Sequence, residues 1–534
     1  MDKIATDPQS IVDEVAKGYA FAGPCLELGA VVVEGTAYPA GPVRIPLSMM
    51  NRHGLVAGAT GTGKTKTLQL MAEQLSAAGV PVFLADIKGD LSGMSVPGVF
   101  NDKITARSTD IGQTWVPTAY PLEYLALGGE GVGVPVRATM TSFGPILLSR
   151  VLDLNQTQES SLQLVFHFAD TNGLALLDLK DLRAVIQYLV SDEGKPQLEA
   201  LGGLSKATAG VILRQLLTFE AEGMEKFFGE PEFDSADLLR TSVDGRGIVT
   251  CLELPSLQDR PALFSTFLMW LLADLFQELP EVGDLDKPKL VFFLDEAHLL
   301  FTGASKAFLT SITQTVRLIR SKGVGVFFVT QTPKDVPDDV LAQLANRVQH
   351  ALRAFTPDDA KALKATVSTF PKSPYDLAEV LPACGIGEAV ITVMSERGAP
   401  TPVAWTRMRA PSSLMGPADP AAVAATVAAS PMNTEYGTAV DRASAYEALA
   451  SRMAPAPPPL GERPPGPSPG EATASGVEVP QLPPMTERPP DGALESAMKN
   501  PVVKAVAVTA ATAITRQIFR GLFGTASRTS RRRR

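Results

Sequence analysis

Cysteine is scarce in this sequence, with three residues in 534, at Cys25, Cys251 and Cys384. They lie far apart and form no CxxC pair, so we expect neither a disulfide framework nor a zinc site, and a reducing cytoplasm fits this usage best. The opening residues MDKIATDPQS lack the basic and apolar regions of a signal peptide. The first 500 residues contain no run of about 18 apolar positions, so we expect no transmembrane helix there.

Aromatic residues are also few, at 6%, and positive charge is not in excess, since the formal net charge is −9. This balance excludes a protein covered all over with nucleic-acid-binding charge. The charge is uneven, because residues 501–534 contain eight Lys or Arg and no acid, which leaves −17 for the first 500 residues. A chain of 534 residues with 45% hydrophobic residues predicts a large main domain with appendages.

Strand and helix patterns alternate in two parts of the chain. This alternation indicates a parallel sheet with helical crossovers, an α/β fold. The predicted strands cover residues 30–33, 53–58, 81–86, 247–254, 290–295, 324–330, 347–355 and 387–394. The predicted domains are a short β-rich segment at 1–50, two parts of the core at 51–145 and 246–410, a helical insertion at 146–245, an Ala/Pro-rich and largely disordered linker at 411–492, and a helix with a basic tail at 493–534.

A glycine-rich loop follows the strand predicted at 53–58 and precedes a helix predicted at 64–78. Its sequence GATGTGKT fits GxxxxGK[ST] without deviation. Such loops place backbone N–H groups and a helix N-terminus around nucleotide phosphates. We expect Lys64 to contact the β- and γ-phosphates and the Thr65 hydroxyl to bind Mg²⁺. The predicted nucleotide-binding residues are Gly58, Ala59, Thr60, Gly61, Thr62, Gly63, Lys64, Thr65 and Lys66.

An apolar strand that ends in two acids, LVFFLDEAH, is the second element of the predicted site. Ligands of open α/β sheets bind at the carboxyl ends of the strands, where Asp295 and Glu296 would lie. We expect Asp295 to hold Mg²⁺, commonly through water, and Glu296 to act as general base on the attacking water. Such a pair alone is more often a solvated strand end, but together with the glycine-rich loop it favours catalysis.

A third polar strand end, Thr330-Gln331, follows the buried strand predicted at 324–330. The Gln331 amide is suited to hydrogen-bond the γ-phosphate or the attacking water, and a simple turn before Pro333 is the alternative. His53 and Asp86 border the same region, and for both we expect structural rather than catalytic roles.

Taken in order, GLVAGATGTGKT, VFFLDEAHLL, LIRSKGVGVFFVTQTP and NRVQHALRAFTPDDAKAL resemble the HerA/FtsK superfamily of P-loop ATPases. The set closely resembles the bacterial HerA-like branch of the YjgR type. The resemblance covers about residues 15–410 and the C-terminal IFRGLFG segment. It implies a RecA-like core with strands between the two nucleotide-binding strands, ATP and Mg²⁺ as cofactors, and a homo-oligomeric ring, commonly a hexamer, that acts on double-stranded DNA.

The resemblance also implies an arginine that reaches the γ-phosphate bound by a neighbouring subunit. Arg347 and Arg353 fall on one face of the strand predicted at 347–355, and Arg320 precedes the strand predicted at 324–330. We therefore take Arg353 as the first candidate, Arg347 as the second and Arg320 as the third. A solvated surface cation is the alternative for each of them.

Two functions remain open from the sequence. One is an ATP-driven DNA translocase or helicase-like ring, and the other is a P-loop ATPase that remodels or anchors protein partners. A superfamily-two helicase, suggested by the DEAH string, is disfavoured because about 230 residues separate Lys64 from Asp295 and no QxxGRxGR pattern follows. The basic tail has three interpretations: packing on the ring, contact with a membrane surface or protein, and contact with DNA.

Overall fold

The computed structural model of the chain describes residues 7–199, 202–254, 261–301 and 306–453. The strands are β1 Cys25–Val33, β2 Thr36–Pro46, β3 Gly54–Ala57, β4 Val82–Asp86, β5 Leu122–Leu127, β6 Val134–Val136, β7 Val249–Glu253, β8 Leu290–Leu294, β9 Val324–Thr330, β10 Asn346–His350, β11 Glu388–Thr392 and β12 Ala404–Met408. The α-helices are α1 Pro8–Gly18, α2 Lys64–Ala77, α3 Asp102–Asp110, α4 Met140–Val151, α5 Gln156–Thr171, α6 Leu179–Leu189, α7 Lys195–Glu199, α8 Lys206–Ala221, α9 Pro261–Glu278, α10 His298–Phe301, α11 Lys306–Ile319, α12 Asp338–Leu341, α13 Pro357–Ser368, α14 Leu377–Ala383, α15 Pro420–Ala429, α16 Pro431–Tyr436 and α17 Ala445–Met453.

These strands form one sheet in the order β2-β1-β12-β11-β10-β3-β9-β8-β4-β7-β5-β6. The strands from β10 to β6 in this order run parallel to one another. β11, β12, β1 and β2 add an antiparallel block at the other end. The glycine-rich loop follows β3 and the acidic pair follows β8, and β9 lies between these two strands. The predicted RecA-like α/β fold is therefore confirmed.

Both faces of the central strands are buried, which explains why these strands read as continuous apolar runs in the sequence. On β8, Phe292 packs into the apolar cluster on one face and Phe293 into the cluster on the other. β9 repeats this alternation with Phe328 and Phe327. The rings of Phe293 and Phe327 are 5.2 Å apart between centroids. The strands are thus fixed from both sides, and their polar ends are held along a defined edge.

One face of the sheet is covered by helices that come from a long continuous part of the chain. Helices α4 to α8 occupy the region in which the sequence predicts a helical insertion, and α4 bends at Gly144, which has φ 75° and precedes Pro145. In α9, Phe267 and Trp270 pack edge-on against Phe227. Within the described ranges, no helix combines the length and the apolar character that crossing a bilayer requires.

The disordered linker predicted to start at residue 411 starts too early. Residues 411–453 are folded and contain α15, α16 and α17. Met432 and Leu449 join the core cluster that the helical face shares with the sheet. Ala-rich sequence builds little core of its own, but alanine favours helix strongly and packs well on an existing apolar surface. The remainder of the predicted linker and the tail at 493–534 lie outside the described residues.

A buried carboxylate on α2 anchors the beginning of this C-terminal segment. Glu73 accepts hydrogen bonds from the backbone N–H groups of Ser412 at 2.7 Å and Ser413 at 3.0 Å, and from both serine hydroxyls. Gln69, one turn earlier on α2, donates to the Leu414 carbonyl at 3.0 Å. The segment is therefore joined to the helix that begins at the glycine-rich loop.

Two further differences concern strands. β10 ends at His350, so the strand predicted at 347–355 is too long. Ala351 and Leu352 continue the apolar pattern, but they pack in a separate cluster with Leu381 of α14 instead of pairing in the sheet. Four strands, β2, β5, β6 and β12, were not predicted from the sequence. β2 contains several prolines and lies at the edge of the sheet, where proline is tolerated.

Candidate active site

Polar residues from four neighbouring strands meet at one edge of the parallel block. The glycine-rich loop follows β3, and Thr330 is the last residue of the neighbouring strand β9. Asp295 and Glu296 follow β8, and Asp86 closes β4. Because the carboxyl ends of parallel strands lie at the same edge, these residues share one surface, where ligands of open α/β sheets bind.

The loop between β3 and α2 has backbone angles that favour glycine. Gly58, Gly61 and Gly63 have φ of 154°, 77° and 116°. A Cβ atom on Gly58 would lie 2.5 Å from the Cβ of His350, so this position has no room for a side chain. The glycines therefore give the loop a backbone path that other residues rarely adopt, as in loops that bind phosphate through backbone N–H groups.

Lys64, the first residue of α2, turns its buried ammonium group back into the loop. Its Nζ donates to the carbonyl oxygens of Gly58 at 2.6 Å and Ala59 at 3.2 Å. Burial lowers the pKa of Lys64, and the negative charge of Glu296 opposes this shift. The structure thus brings Lys64 and the second acid of the β8 pair into electrostatic contact across the site.

The other predicted loop residues differ in their surroundings. Thr60 and Gly61 are exposed at the tip of the loop, and Thr65 is half-buried in the first turn of α2. The Lys66 ammonium donates to Gln69 Oε1 at 3.3 Å along the same helix. Lys66 therefore contacts the helix and not the loop in this structure.

The loop is anchored to three neighbouring segments by backbone hydrogen bonds. The bonds run from Gly58 N to the Thr330 carbonyl at 3.2 Å, from Ala59 N to the Ala351 carbonyl at 2.8 Å, and from Gly387 N to the Thr62 carbonyl at 2.9 Å. His350 adds a side-chain contact, with Nε2 2.9 Å from the Thr67 hydroxyl and Nδ1 2.8 Å from the Glu388 carbonyl. Burial lowers the pKa of His350 to about 4, so the ring is neutral at physiological pH.

The two acids after β8 are both buried. Glu296 has φ 47°, a left-handed conformation that is uncommon for a residue other than glycine. This backbone is fixed by hydrogen bonds from Glu296 N to Asp295 Oδ1 and from Ala297 N to the Val329 carbonyl, both 2.9 Å long. The pKa of Asp295 is raised to about 6, mainly by burial and secondly by the negative charge of Glu296.

Two basic side chains face the Glu296 carboxylate. Lys88 Nζ donates to Oε1 at 2.6 Å, and His298 Nδ1 lies 3.3 Å from Oε2. Burial would raise the pKa of Glu296, but Lys88, His298 and Lys64 together lower it below its usual value. Lys88 was not among the site residues predicted from the sequence, although its position just after the end of β4 indicates that it lies at this edge of the sheet.

Asp86 and His53 make contacts that fit the structural roles expected for them. The Asp86 carboxylate accepts backbone hydrogen bonds from the four successive residues 88–91, so it fixes the loop that carries Lys88. His53 lies at the other end of β3, where its Nδ1 accepts from Val326 N at 3.0 Å.

Gln331 is exposed beside the acids and lines a cleft of about 360 Å³ together with His298, Phe301, Thr332 and Asp335. The preceding residue, Thr330, donates its hydroxyl to Asp335 Oδ2 at 2.7 Å. The end of β9 therefore contacts the glycine-rich loop through its backbone and the cleft through its side chains.

The three predicted arginines are separated by the fold. Arg353 lies beyond the end of β10, is exposed and donates to the Pro382 carbonyl at 2.8 Å. Arg347 is half-buried on β10, and burial lowers its pKa. Arg320 is exposed before the start of β9, at the opposite edge of the sheet from the glycine-rich loop. The strand predicted to carry both Arg347 and Arg353 therefore carries only Arg347, because β10 ends at His350.

The residues present fit a nucleotide with Mg²⁺. Within the described part of the chain, Asp295 Oδ2 is buried without a hydrogen-bond partner, as expected of a group that binds a cation directly or through water. The Thr65 hydroxyl is in the helix turn that follows the loop, where the loop sequence predicts a second oxygen ligand. Mg²⁺ bound there would neutralise phosphate charge during hydrolysis.

Comparisons with solved structures find proteins of low similarity to this chain. The bacterial conjugative coupling protein TrwB has a TM-score of 0.47 and 16% identity, over 74% of this chain and 96% of that chain. VirB4 of Thermoanaerobacter pseudethanolicus has a TM-score of 0.43 and 13% identity, over 72% of this chain and 96% of that chain.

Comparisons with curated proteins find archaeal relatives named DNA double-strand break repair helicase HerA. The protein of Saccharolobus solfataricus is 21% identical over 65% of this chain and 63% of its own length. The protein of Sulfurisphaera tokodaii is 23% identical over 65% of this chain and 64% of its own length. The chain thus spans less than two thirds of the length of these relatives. The family described as helicase HerA-like, C-terminal, matches residues 33–533. The chain therefore belongs to the HerA-like family within the HerA/FtsK superfamily of P-loop ATPases.

Proposed function

We propose that the chain is an ATP-driven motor that assembles as a homo-oligomeric ring, commonly a hexamer, and moves double-stranded DNA. The observation that carries this proposal is the meeting of Lys64, Asp295, Glu296 and Gln331 at one edge of a RecA-like sheet in a member of the HerA-like family. The archaeal relatives, which are named for DNA double-strand break repair, support DNA as the substrate.

Each residue has a defined role in the proposed hydrolysis of ATP. Lys64 and the loop backbone bind the β- and γ-phosphates, and Thr65 and Asp295 hold Mg²⁺. Glu296 accepts a proton from the attacking water, so the water attacks the γ-phosphorus with hydroxide character. Gln331 orients this water or contacts the γ-phosphate from the adjacent strand end.

ATP turnover with and without duplex DNA tests the proposal directly. We expect blunt duplex DNA to raise the steady-state rate several-fold, because a translocase couples hydrolysis to its track. Solution mass should show an oligomer in the same buffer. The matched control is an equal mass concentration of heparin, which supplies polyanion charge without a duplex. Equal rates in DNA, heparin and plain buffer would contradict the proposal.

The second candidate function is a P-loop ATPase that remodels or anchors protein partners. It is favoured by the acidic balance of the chain, with −17 outside the basic tail, which repels DNA except where lysine or arginine is concentrated locally. Under this alternative the ATPase site remains active, whereas DNA leaves turnover unchanged and a protein partner stimulates it.

The position of each arginine relative to its own nucleotide loop separates the candidates for a contribution in trans. In a head-to-tail ring, the nucleotide edge of one subunit meets a different surface of the next subunit. Arg353 lies at the same edge of the sheet as the glycine-rich loop of its own subunit. It follows by two residues Ala351, whose carbonyl oxygen accepts a hydrogen bond from Ala59 N. Arg320 lies on the opposite edge and is exposed. We therefore rank Arg320 above Arg353, and Arg347 last because it is half-buried.

Mixing two inactive variants distinguishes these arginines. Arg320→Ala should lower turnover about 10²-fold with little loss of nucleotide binding, because one donor to the transition-state charge is removed. In co-assembled mixtures with Lys64→Ala, an Arg320→Ala subunit has an intact loop and meets a neighbour with intact Arg320, so activity should return. Arg317→Ala, an exposed arginine of α11, is the matched control and should be active alone. Recovery with Arg353→Ala but not with Arg320→Ala would reverse our ranking.

A further inference from the structure

Lys88 forms an ion pair with Glu296, the proposed general base. No step of the proposed hydrolysis requires this ion pair. The Lys88 ammonium lies 2.6 Å from Glu296 Oε1, and His298 Nδ1 faces the other carboxylate oxygen at 3.3 Å. A carboxylate can accept a proton from water only through an oxygen that the water can reach. In this arrangement Oε1 accepts from Lys88, while Oε2 is buried and makes no hydrogen bond within the described part of the chain, so neither oxygen is open to water.

The two partners of this ion pair differ in exposure. Glu296 is 8% exposed in its side chain, and its left-handed backbone is fixed by hydrogen bonds on both sides. Lys88 is 40% exposed in its side chain, which ends a flexible four-carbon stem. The backbone that carries Lys88 is nevertheless rigid, because Asp86 binds the N–H groups of residues 88–91. The ammonium can therefore change partner while its anchor and Glu296 stay in place.

A competing partner arises on the same side of the site. Lys88 is close enough to Lys64 for their charges to interact, and Lys64 also interacts with Glu296. Since Lys64 is the residue that the glycine-rich loop presents to the β- and γ-phosphates, a γ-phosphate would lie within the field of both lysines. Phosphate oxygens carry more charge than one carboxylate, and they attract ammonium groups strongly.

We propose that Lys88 alternates between Glu296 and the γ-phosphate, so that the general base is released only when a nucleoside triphosphate occupies the site. This inference rests on the proposed function, because it needs Lys64 and Glu296 in their assigned roles. Lys88 thereby acts as a discriminator between triphosphate and diphosphate, since ADP has no γ-phosphate to draw it away from Glu296.

Titration calorimetry on the full chain, with Mg²⁺ and either ADP or the non-hydrolysable β,γ-imido analogue of ATP, tests the exchange. Lys88→Met should weaken binding of the analogue about fivefold and leave ADP binding unchanged, since the lost contact is to the γ-phosphate alone. Glu296→Gln should strengthen binding of the analogue, because a neutral amide competes less for Lys88. This gain should shrink when Lys88→Met is already present, because the two residues share one ammonium group.

The controls separate the alternatives. Lys88→Arg keeps the positive charge and should retain part of the preference for the analogue, whereas Lys103→Met, an exposed lysine on α3, should behave as wild type. Additive effects of Lys88→Met and Glu296→Gln, or equal changes in ADP and analogue binding, would overturn the exchange. Absence of Mg²⁺-dependent nucleotide binding in the wild type, or unchanged binding in Lys64→Ala, would instead contradict the proposed function itself.

Discussion

Glu296→Gln is expected to bind ATP and to hydrolyse it about 10²–10⁴-fold more slowly than the wild type, since this is the usual cost of removing a general base. The substitution keeps the size of the side chain, and the amide oxygen can still accept from Lys88, which now donates at 2.6 Å. The left-handed backbone at this position is fixed by its neighbours, so the fold should be unaffected. The variant should therefore accumulate as an ATP-bound protein.

Single-turnover hydrolysis and nucleotide binding, measured on the same preparation, check this result. Glu253→Gln is the matched control, because Glu253 also ends a parallel strand at this edge and its pKa is raised to about 7, chiefly by burial. We expect Glu253→Gln to hydrolyse ATP at nearly the wild-type rate. Normal turnover by Glu296→Gln would show that another group accepts the proton.

Lys64→Ala is expected to lower kcat/KM for ATP about 10²–10⁴-fold, because each charged hydrogen bond to phosphate contributes about 1.5–3 kcal/mol. Unlike Glu296→Gln, it should also weaken nucleotide binding, since the cation contacts the phosphates before the chemical step as well as during it. Lys64 donates to the carbonyl oxygens of Gly58 and Ala59 in this structure, so the substitution also removes two hydrogen bonds within the loop.

Binding of a fluorescent ATP analogue, together with the melting temperature, distinguishes a lost phosphate contact from a damaged fold. Lys103→Ala removes an exposed lysine far along the chain and should retain both binding and turnover. A Lys64→Ala protein that melts with the wild type but binds no nucleotide is the expected outcome. Wild-type affinity in this variant would mean that the loop does not bind the phosphates.

The local parts of the site were determined by the sequence. The boundaries predicted at 324–330 agree with β9, and the helix predicted at 64–78 agrees with α2 to within one residue. Buried parallel strands and glycine-rich loops have strong local signals, because short apolar runs and glycines at fixed spacing restrict the backbone by themselves. The fold class and the roles proposed for Lys64, Asp295 and Glu296 follow from these signals.

Contacts between distant segments were decided only by the tertiary structure. Lys88 and Glu296 are 208 positions apart, so neither local spacing nor composition indicates that they meet. The same holds for the folded segment 411–453, which becomes ordered because Glu73 and the sheet provide partners that Ala-rich sequence does not contain itself. The end of β10 at His350 was fixed by packing against α14, while the apolar pattern continued. Local patterns determine which elements form, and packing between remote elements determines where they end and which side chains meet.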